Sequence, residues 1–295
     1  MAQTAQRRGI RMTRTAQVEL SAEEVDEADE RALPRAAVVF ETIRREGEGE
    51  LNRTWSALAF SALSAGLSMG FSLFAMSIFT AYLPDSPWRP LVASLGYTVG
   101  FLVAILGRQQ LFTENTLTPI LVLLNRFERP IFLRVVRLWG IVLAGNLLGA
   151  LAFATLLAHV QVFPAELQRS FGAVAVHASS GAAWPNFVRA IYAGWLIALV
   201  VWLLPAAESA AMFVIILLTY IVAAAELTHV VAGSVEAMYS VEIGKLTVAQ
   251  CVFRFVGPVF AGNSIGGVTF VALLNFGQVA GDSGPRERRS GAAER

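Results

Sequence analysis

Five ionisable side chains, Arg108, Glu114, Glu226, His229 and Glu236, stand inside long apolar stretches of this chain. A charge at membrane depth is costly, so each such group is expected to have a partner or a task. His229, in a dry constriction, is expected as a neutral imidazole that donates one hydrogen bond. Leu111 and Phe112 are apolar residues in a polar interruption, a composition that suits a steric gate. Thr113 adds a hydroxyl able to cap a following half-helix or to touch a solute. Arg108 and Glu114 flank the same interruption and are expected to pair. Glu226 lies one helical turn before His229 and is placed to orient the imidazole. Glu236 has no evident partner, which makes it a candidate pathway residue. Against these roles stands plain packing, with His229 bonded to a neighbouring carbonyl and Leu111 and Phe112 in a core.

The chemistry that suits this set is passage rather than catalysis. Half-helix N-termini facing one point add positive potential from unpaired N–H groups. A small anion is then welcome electrostatically but meets an apolar narrowing. A weak-acid anion can cross by taking up a proton there and passing as the neutral acid. The carboxylates keep a second path open, for a small cation or a neutral solute such as ammonium. A hydrolase pairing Ser234 with His229 fits poorly, because no third orienting group and no oxyanion site can be read. The chain is therefore expected not to be an enzyme, with no cofactor. A single cysteine, Cys251, excludes an internal disulfide and a thiolate metal site.

The interruptions belong to a repeat. Gly145, Asn146, Gly149 and Phe153 recur as Gly262, Asn263, Gly266 and Phe270, 117 positions later. The same offset carries Leu111-Phe112-Thr113 onto Thr228-His229-Val230. Asn146 and Asn263 are expected to bond the broken backbone opposite them. Each copy sits in the third apolar segment of its half. Three crossings is an odd number, so the halves must be inverted, as in transporters and channels whose path lies where the halves meet.

Six apolar segments carry the pattern, at about 55–82, 90–124, 131–159, 185–206, 209–240 and 250–279, each long enough to span a bilayer core. The second and fifth carry polar residues in mid-segment and read as broken helices, a backbone tolerated only when buried or lining a cavity. Thr113, Glu114, Asn115 and Thr116 offer caps there, with Pro119 in the first turns of the second half-helix. Charge follows the same plan. Residues 1–53 hold 20 of the 45 Asp, Glu, Lys and Arg residues and 281–295 hold 7, which leaves the stretch between them a membrane domain. Three parts follow: a tail at 1–53, a transmembrane channel domain at 54–280 and a tail at 281–295. Residues 1–33 are expected to be mobile. Residues 34–50 suit an amphipathic helix whose face of Ala37, Val38 and Ile43 lies on the membrane surface or in solvent. The N-terminus does not read as a signal peptide. Arg126, Arg129, Arg134 and Arg137 cluster between segments two and three, and both tails are Arg-rich, so both termini are expected in the cytoplasm. A net charge of +1 without a basic stripe excludes a nucleic-acid partner.

Three stretches then carry a resemblance: Gly107 to Thr116 (GRQQLFTENT), Thr228 to Ser234 (THVVAGS) and Gly262 to Gly267 (GNSIGG). Together they resemble the formate/nitrite transporter family over residues 35–280. The resemblance implies an all-α membrane protein of six transmembrane helices in two inverted three-helix repeats, aquaporin-like, with the second and fifth helices broken. It implies a homopentamer in the bacterial inner membrane, each protomer with its own pore for small monovalent weak-acid anions such as formate or nitrite. The family's Leu-Phe-Thr loop matches Leu111, Phe112 and Thr113, and its central pore histidine matches His229. The chain departs from the well-studied formate channels in having Glu114 and Asn115 after that threonine, Thr228 before the histidine, and no lysine at the outer mouth. It reads as a divergent subgroup.

Overall fold

Thr54 opens the first long helix, its hydroxyl accepting the Ala57 N–H at 3.4 Å in the manner of an N-cap. The computed structural model describes Ser21 and residues 34–282, and all regular structure among them is helical. The expected mobility of residues 1–33 and the tail at 281–295 fall almost wholly outside the described residues.

The elements are α1 (Ala36–Leu51), α2 (Trp55–Tyr82), α3 (Arg89–Leu106), α4 (Thr118–Asn125) and α5 (Arg129–His159). They continue as α6 (Ala165–Ser179), α7 (Ala183–Ala207), α8 (Ala211–Ala224), α9 (Ala232–Glu242) and α10 (Val248–Gly281). Proline occupies the first turn of α3, α4 and α5, where its missing N–H has no intrahelical partner to lose. Among the described residues, five helices (α2, α3, α5, α7 and α10) are long and apolar enough to cross a membrane, and α8 is apolar but shorter. The stretches read as 90–124 and 209–240 appear as two helices each, α3 with α4 and α8 with α9. The intervening backbone at 107–117 is irregular except for one 3-10 turn, Glu114–Thr116. Helix α6 lies where the sequence reading had only a connection.

Close backbone approach holds the bundle together. A Cβ on Gly66 of α2 would overlap the Asn146 carbonyl of α5, and one on Gly194 of α7 would overlap the Asn263 carbonyl of α10. Helix α10 widens into π-type turns at Cys251–Val256 and Val268–Leu273, on either side of Asn263.

Helix α1 does not present the face expected of it. Ala37 and Val38 are exposed, and of the three named residues only Ile43 is buried, together with Val39, Phe40, Gly47 and Leu51. This face docks on protein: a Cβ at Gly47 would strike the Thr118 carbonyl, and Phe40 packs on Phe276 with ring centroids 5.9 Å apart. Two of the clustered arginines secure the end of α1. Arg137 Nη2 donates to the carbonyls of Leu51 at 2.9 Å and Arg53 at 3.1 Å, and Arg134 donates to Asn52 at 3.1 Å.

Candidate functional site

Both helix breaks are made the same way. Helix α3 ends with Gln109 N–H on Ala104 O at 2.9 Å and Arg108 N–H on Ile105 O at 3.0 Å, with Arg108 at φ 53°. Helix α8 ends with Leu227 N–H on Val222 O at 2.9 Å and Glu226 N–H on Ala223 O at 3.0 Å, with Glu226 at φ 52°. Each is a left-handed C-terminal cap of Schellman type, with a residue other than glycine in the left-handed position. The chain then turns inward and an asparagine receives it. Asn146 Oδ1 accepts Phe112 N–H at 2.8 Å, while its Nδ2 donates to Gln110 O and Ala62 O, both at 2.8 Å. Asn263 Oδ1 accepts Val230 N–H at 2.8 Å, and its Nδ2 donates to Thr228 O at 3.1 Å and Ala190 O at 2.7 Å. Each amide satisfies one N–H and one carbonyl that the irregular backbone would leave unpaired, and its third bond ties the loop to a helical carbonyl, Ala62 O of α2 or Ala190 O of α7. These bonds set the correspondence between the breaks at 118 positions rather than 117. His229 is therefore the counterpart of Leu111, not of Phe112.

The loops meet at His229. Its Nδ1 accepts the N–H groups of Val231 and Ala232, both at 3.2 Å, so this nitrogen carries no proton. The ring proton is on Nε2, which donates to Thr113 Oγ1 at 2.8 Å. The imidazole thus caps the N-terminus of α9 and reaches across to the other break. Phe101 of α3 presents its ring edge-to-face, with centroids 5.0 Å apart and planes at 75°. Leu111, Phe112, Thr113, Phe101 and His229 are all buried. The Phe112 ring is packed between Trp139 at 5.4 Å and Phe260 at 5.2 Å, and Trp139 Nε1 donates to Asn115 O at 2.9 Å.

A cavity lies on each side of this plug. The α1 cavity, about 410 Å³, is lined by Glu46, Glu50, Arg108, Gln110, Glu114 and Thr118 among others. The α6 cavity, about 70 Å³, is lined by Tyr97, His177, Arg189, Glu226, His229 and Glu236 among others. Along α3, Tyr97 faces one cavity and Ile105 the other, about 12 Å apart at 1.5 Å per residue, with Phe101 midway.

Several expected contacts are absent. Arg108 does not pair with Glu114: its guanidinium is exposed and meets Glu46 at 3.0 Å. Glu114 Oε1 is instead buried with no hydrogen-bond partner among the described residues. Glu226 does not orient His229. The left-handed cap turns it outward, where it meets His177 at 3.2 Å and Arg189 at 3.9 Å. Side chains do not cap α4, since Thr118 donates to Glu50 at 2.7 Å and Thr116 to Thr113 O at 2.7 Å. Ser234 Oγ donates to Val230 O, away from any role with His229. Glu236 is buried and, among the described residues, makes no hydrogen bond or ion pair. Sequence reasoning missed Phe101, which sits in an unbroken apolar run with nothing to mark it. It also missed Glu50, which accepts from Gln110 and Thr118 but stands in a charge-rich stretch where one more glutamate carries no signal.

Comparison with known proteins supplies the context. The chain is 40% identical over 272 residues to inner membrane protein YfdC of Escherichia coli (strain K12), covering 90% of this chain and 88% of that protein. It is 30% identical to an uncharacterized transporter, YrhG, of Bacillus subtilis (strain 168), over 64% of this chain and 73% of that one. A solved pentameric formate channel with formate bound superposes with a TM-score of 0.64 at 19% identity, covering 75% of this chain and 96% of the other. A solved FNT family ion channel gives a TM-score of 0.66 at 22% identity, over 82% and 96%. The family model for formate/nitrite transporters matches residues 37–277, and with its helices, its paired breaks and its relatives this chain belongs to that family.

Proposed function

We propose that the protein is an inner-membrane channel for small monovalent weak-acid anions of the formate and nitrite kind. One observation carries the reading. Two inward-turned loops, each clamped by an asparagine, meet at a buried Thr113–His229 contact between two polar cavities. Family membership adds to it, as do an inner-membrane relative and a formate channel of the same fold.

In this reading residues 54–280 form six crossings in two inverted halves, flanked by cytoplasmic tails at 1–53 and 281–295, and five copies assemble with a pore in each. The shared caps and amide clamps support the inversion, and the solved pentameric neighbour supports the assembly. Leu111, Phe112, Thr113 and His229 form the narrowing. Because Nε2–H donates to Thr113 Oγ1, the threonine hydroxyl keeps its own proton for an oxyanion in transit. Asn146 and Asn263 hold the loops rather than touch the solute. Arg108 with Glu46, and Glu226 with His177 and Arg189, set the charge at the two mouths. A path for ammonium or another small cation is the second reading, favoured by the buried carboxyls of Glu114 and Glu236, which face opposite cavities and have no hydrogen-bond partner among the described residues.

Flux into proteoliposomes decides between them, measured for formate, nitrite, acetate and methylammonium at two pH values. Formate and nitrite uptake that rises as external pH falls is the expected result. Methylammonium flux with no formate or nitrite flux would replace the anion reading with the cation one.

A further inference from the structure

We infer that Glu236, not His229, is the proton-exchanging group of the pathway, handing a proton to a weak-acid anion in the α6 cavity; this rests on the anion-channel reading above. His229 is badly placed for the task. Its Nδ1 is held by two backbone N–H groups and its one ring proton is committed to Thr113. Protonating Nδ1 would break the cap on the N-terminus of α9, and releasing the Nε2 proton would break the contact with Thr113.

Glu236 has the opposite surroundings. It is 4% exposed, lines the α6 cavity, and has no hydrogen-bonding or ionic partner among the described residues. A buried carboxyl kept without partners in a membrane helix is a functional group by default. Every other titratable group facing the cavity is committed or remote from donation. Glu226 is paired with His177 from α6 and Arg189 from α7. Tyr97 from α3 is a phenol, which holds its proton at neutral pH. Helices α2 and α10 contribute only Met76 and Phe255.

The step balances simply. The O–H bond of the Glu236 carboxyl breaks as an O–H bond forms on an oxygen of the anion. The neutral acid passes the narrowing of Phe101, Leu111 and Phe112, and the carboxylate recovers a proton from hydronium entering past Arg189 and His177. Proton transfer by a positioned carboxyl contributes on the order of a hundredfold to such a step.

The test uses full-length protein in liposomes, with formate as the probe and wild type, Glu236→Gln and Glu236→Asp compared from pH 5 to pH 8. The expected result is formate flux about a hundredfold lower in Glu236→Gln with a flattened pH profile, and pH dependence with a displaced midpoint in Glu236→Asp. A Glu236→Gln profile matching wild type, or a higher flux in it, overturns the inference and leaves the anion channel standing. If Glu236→Gln does not assemble, an Asp profile superimposable on wild type overturns the inference by itself. A wild type that carries no weak acid at any pH overturns both readings together.

Discussion

Removing the His229 side chain should weaken the fold as well as the flux, because the ring is a helix cap. In His229→Ala the N–H groups of Val231 and Ala232 lose their acceptor, and Thr113 Oγ1 loses its donor. Both N–H bonds are 3.2 Å long, at the weak end of the range, so each is worth about 1 kcal/mol, and the Thr113 bond about as much again. The total is about 3 kcal/mol, within reach of what caps and buried unsatisfied donors cost in other proteins. For a body of this size that lowers Tm by roughly 6–12 °C. Asparagine separates the two roles. Its Oδ1 occupies the position of Nδ1 and caps α9, but nothing replaces Nε2, so His229→Asn should lose only about 1 kcal/mol, or roughly 2–4 °C. Both variants should lose flux, since neither orients the Thr113 hydroxyl. Thermal denaturation of the purified assembly, followed by tryptophan fluorescence, supplies the measurement. An alanine variant melting within 2 °C of wild type, or an asparagine variant falling as far as alanine, would refute the capping argument.

Three further outcomes follow from named contacts. Asn146→Ala and Asn263→Ala should each cost on the order of 2–6 kcal/mol, one buried N–H and one loop carbonyl being left unpaired, with loss of the intact assembly on size-exclusion chromatography. Arg108→Gly should leave Tm unchanged or raise it by about 2 °C, because glycine relieves the left-handed backbone while an exposed ion pair with Glu46 contributes little; Arg108→Val should lower Tm. Burial pushes the Glu50 carboxyl up, against the hydrogen bonds from Thr118 and Gln110 that favour its ionised form. Its folded-state ionisation is thus the unfavourable one, so the docking of α1 should weaken as pH rises above about 4.5, and Glu50→Gln should abolish that slope in melting curves between pH 5 and pH 8.

The apolar segments, the repeated Gly-Asn-x-x-Gly stretches and the irregular stretches between α3 and α4 and between α8 and α9 were legible in the sequence because each leaves a compositional mark. A twenty-residue apolar run has few alternatives, and small residues recurring on one helix announce close packing. What escaped was decided by backbone direction at single residues. The sequence places Arg108 and Glu114 six positions apart and Glu226 three before His229, which invites pairing. Left-handed caps at Arg108 and Glu226 point both side chains outward instead, and no local pattern marks a left-handed residue that is not glycine. The asparagine bonds relate the two loops at 118 positions, one more than the 117 between Asn146 and Asn263 themselves. The sequence predicts that His229 donates one hydrogen bond, but not that it accepts two, because Val231 and Ala232 contribute backbone groups that any sequence would supply. Helix α1 reads as amphipathic through Ala37, Val38 and Ile43. Its burial depends on a groove made by residues more than sixty positions away, which no window on α1 contains.

The distribution of charge limits how an anion can pass. Glu46 is answered by Arg108, Glu226 by His177 and Arg189, and Glu50 by two neutral donors. Glu114 and Glu236 are left over, one facing each cavity. An anion about 6 Å from an ionised carboxylate meets a repulsion of about 3 kcal/mol at an effective dielectric of 20, which lowers its occupancy roughly a hundredfold. Anion passage is therefore incompatible with an ionised Glu236 beside the solute, and compatible with one that carries a proton as the anion arrives. A cation meets the same charge with the opposite sign and is favoured when the carboxylate is ionised. The slope of flux against pH thus separates the two solutes independently of any mutation. Flux that grows with acidity assigns the pathway to a weak acid, and flux that shrinks with acidity assigns it to a cation.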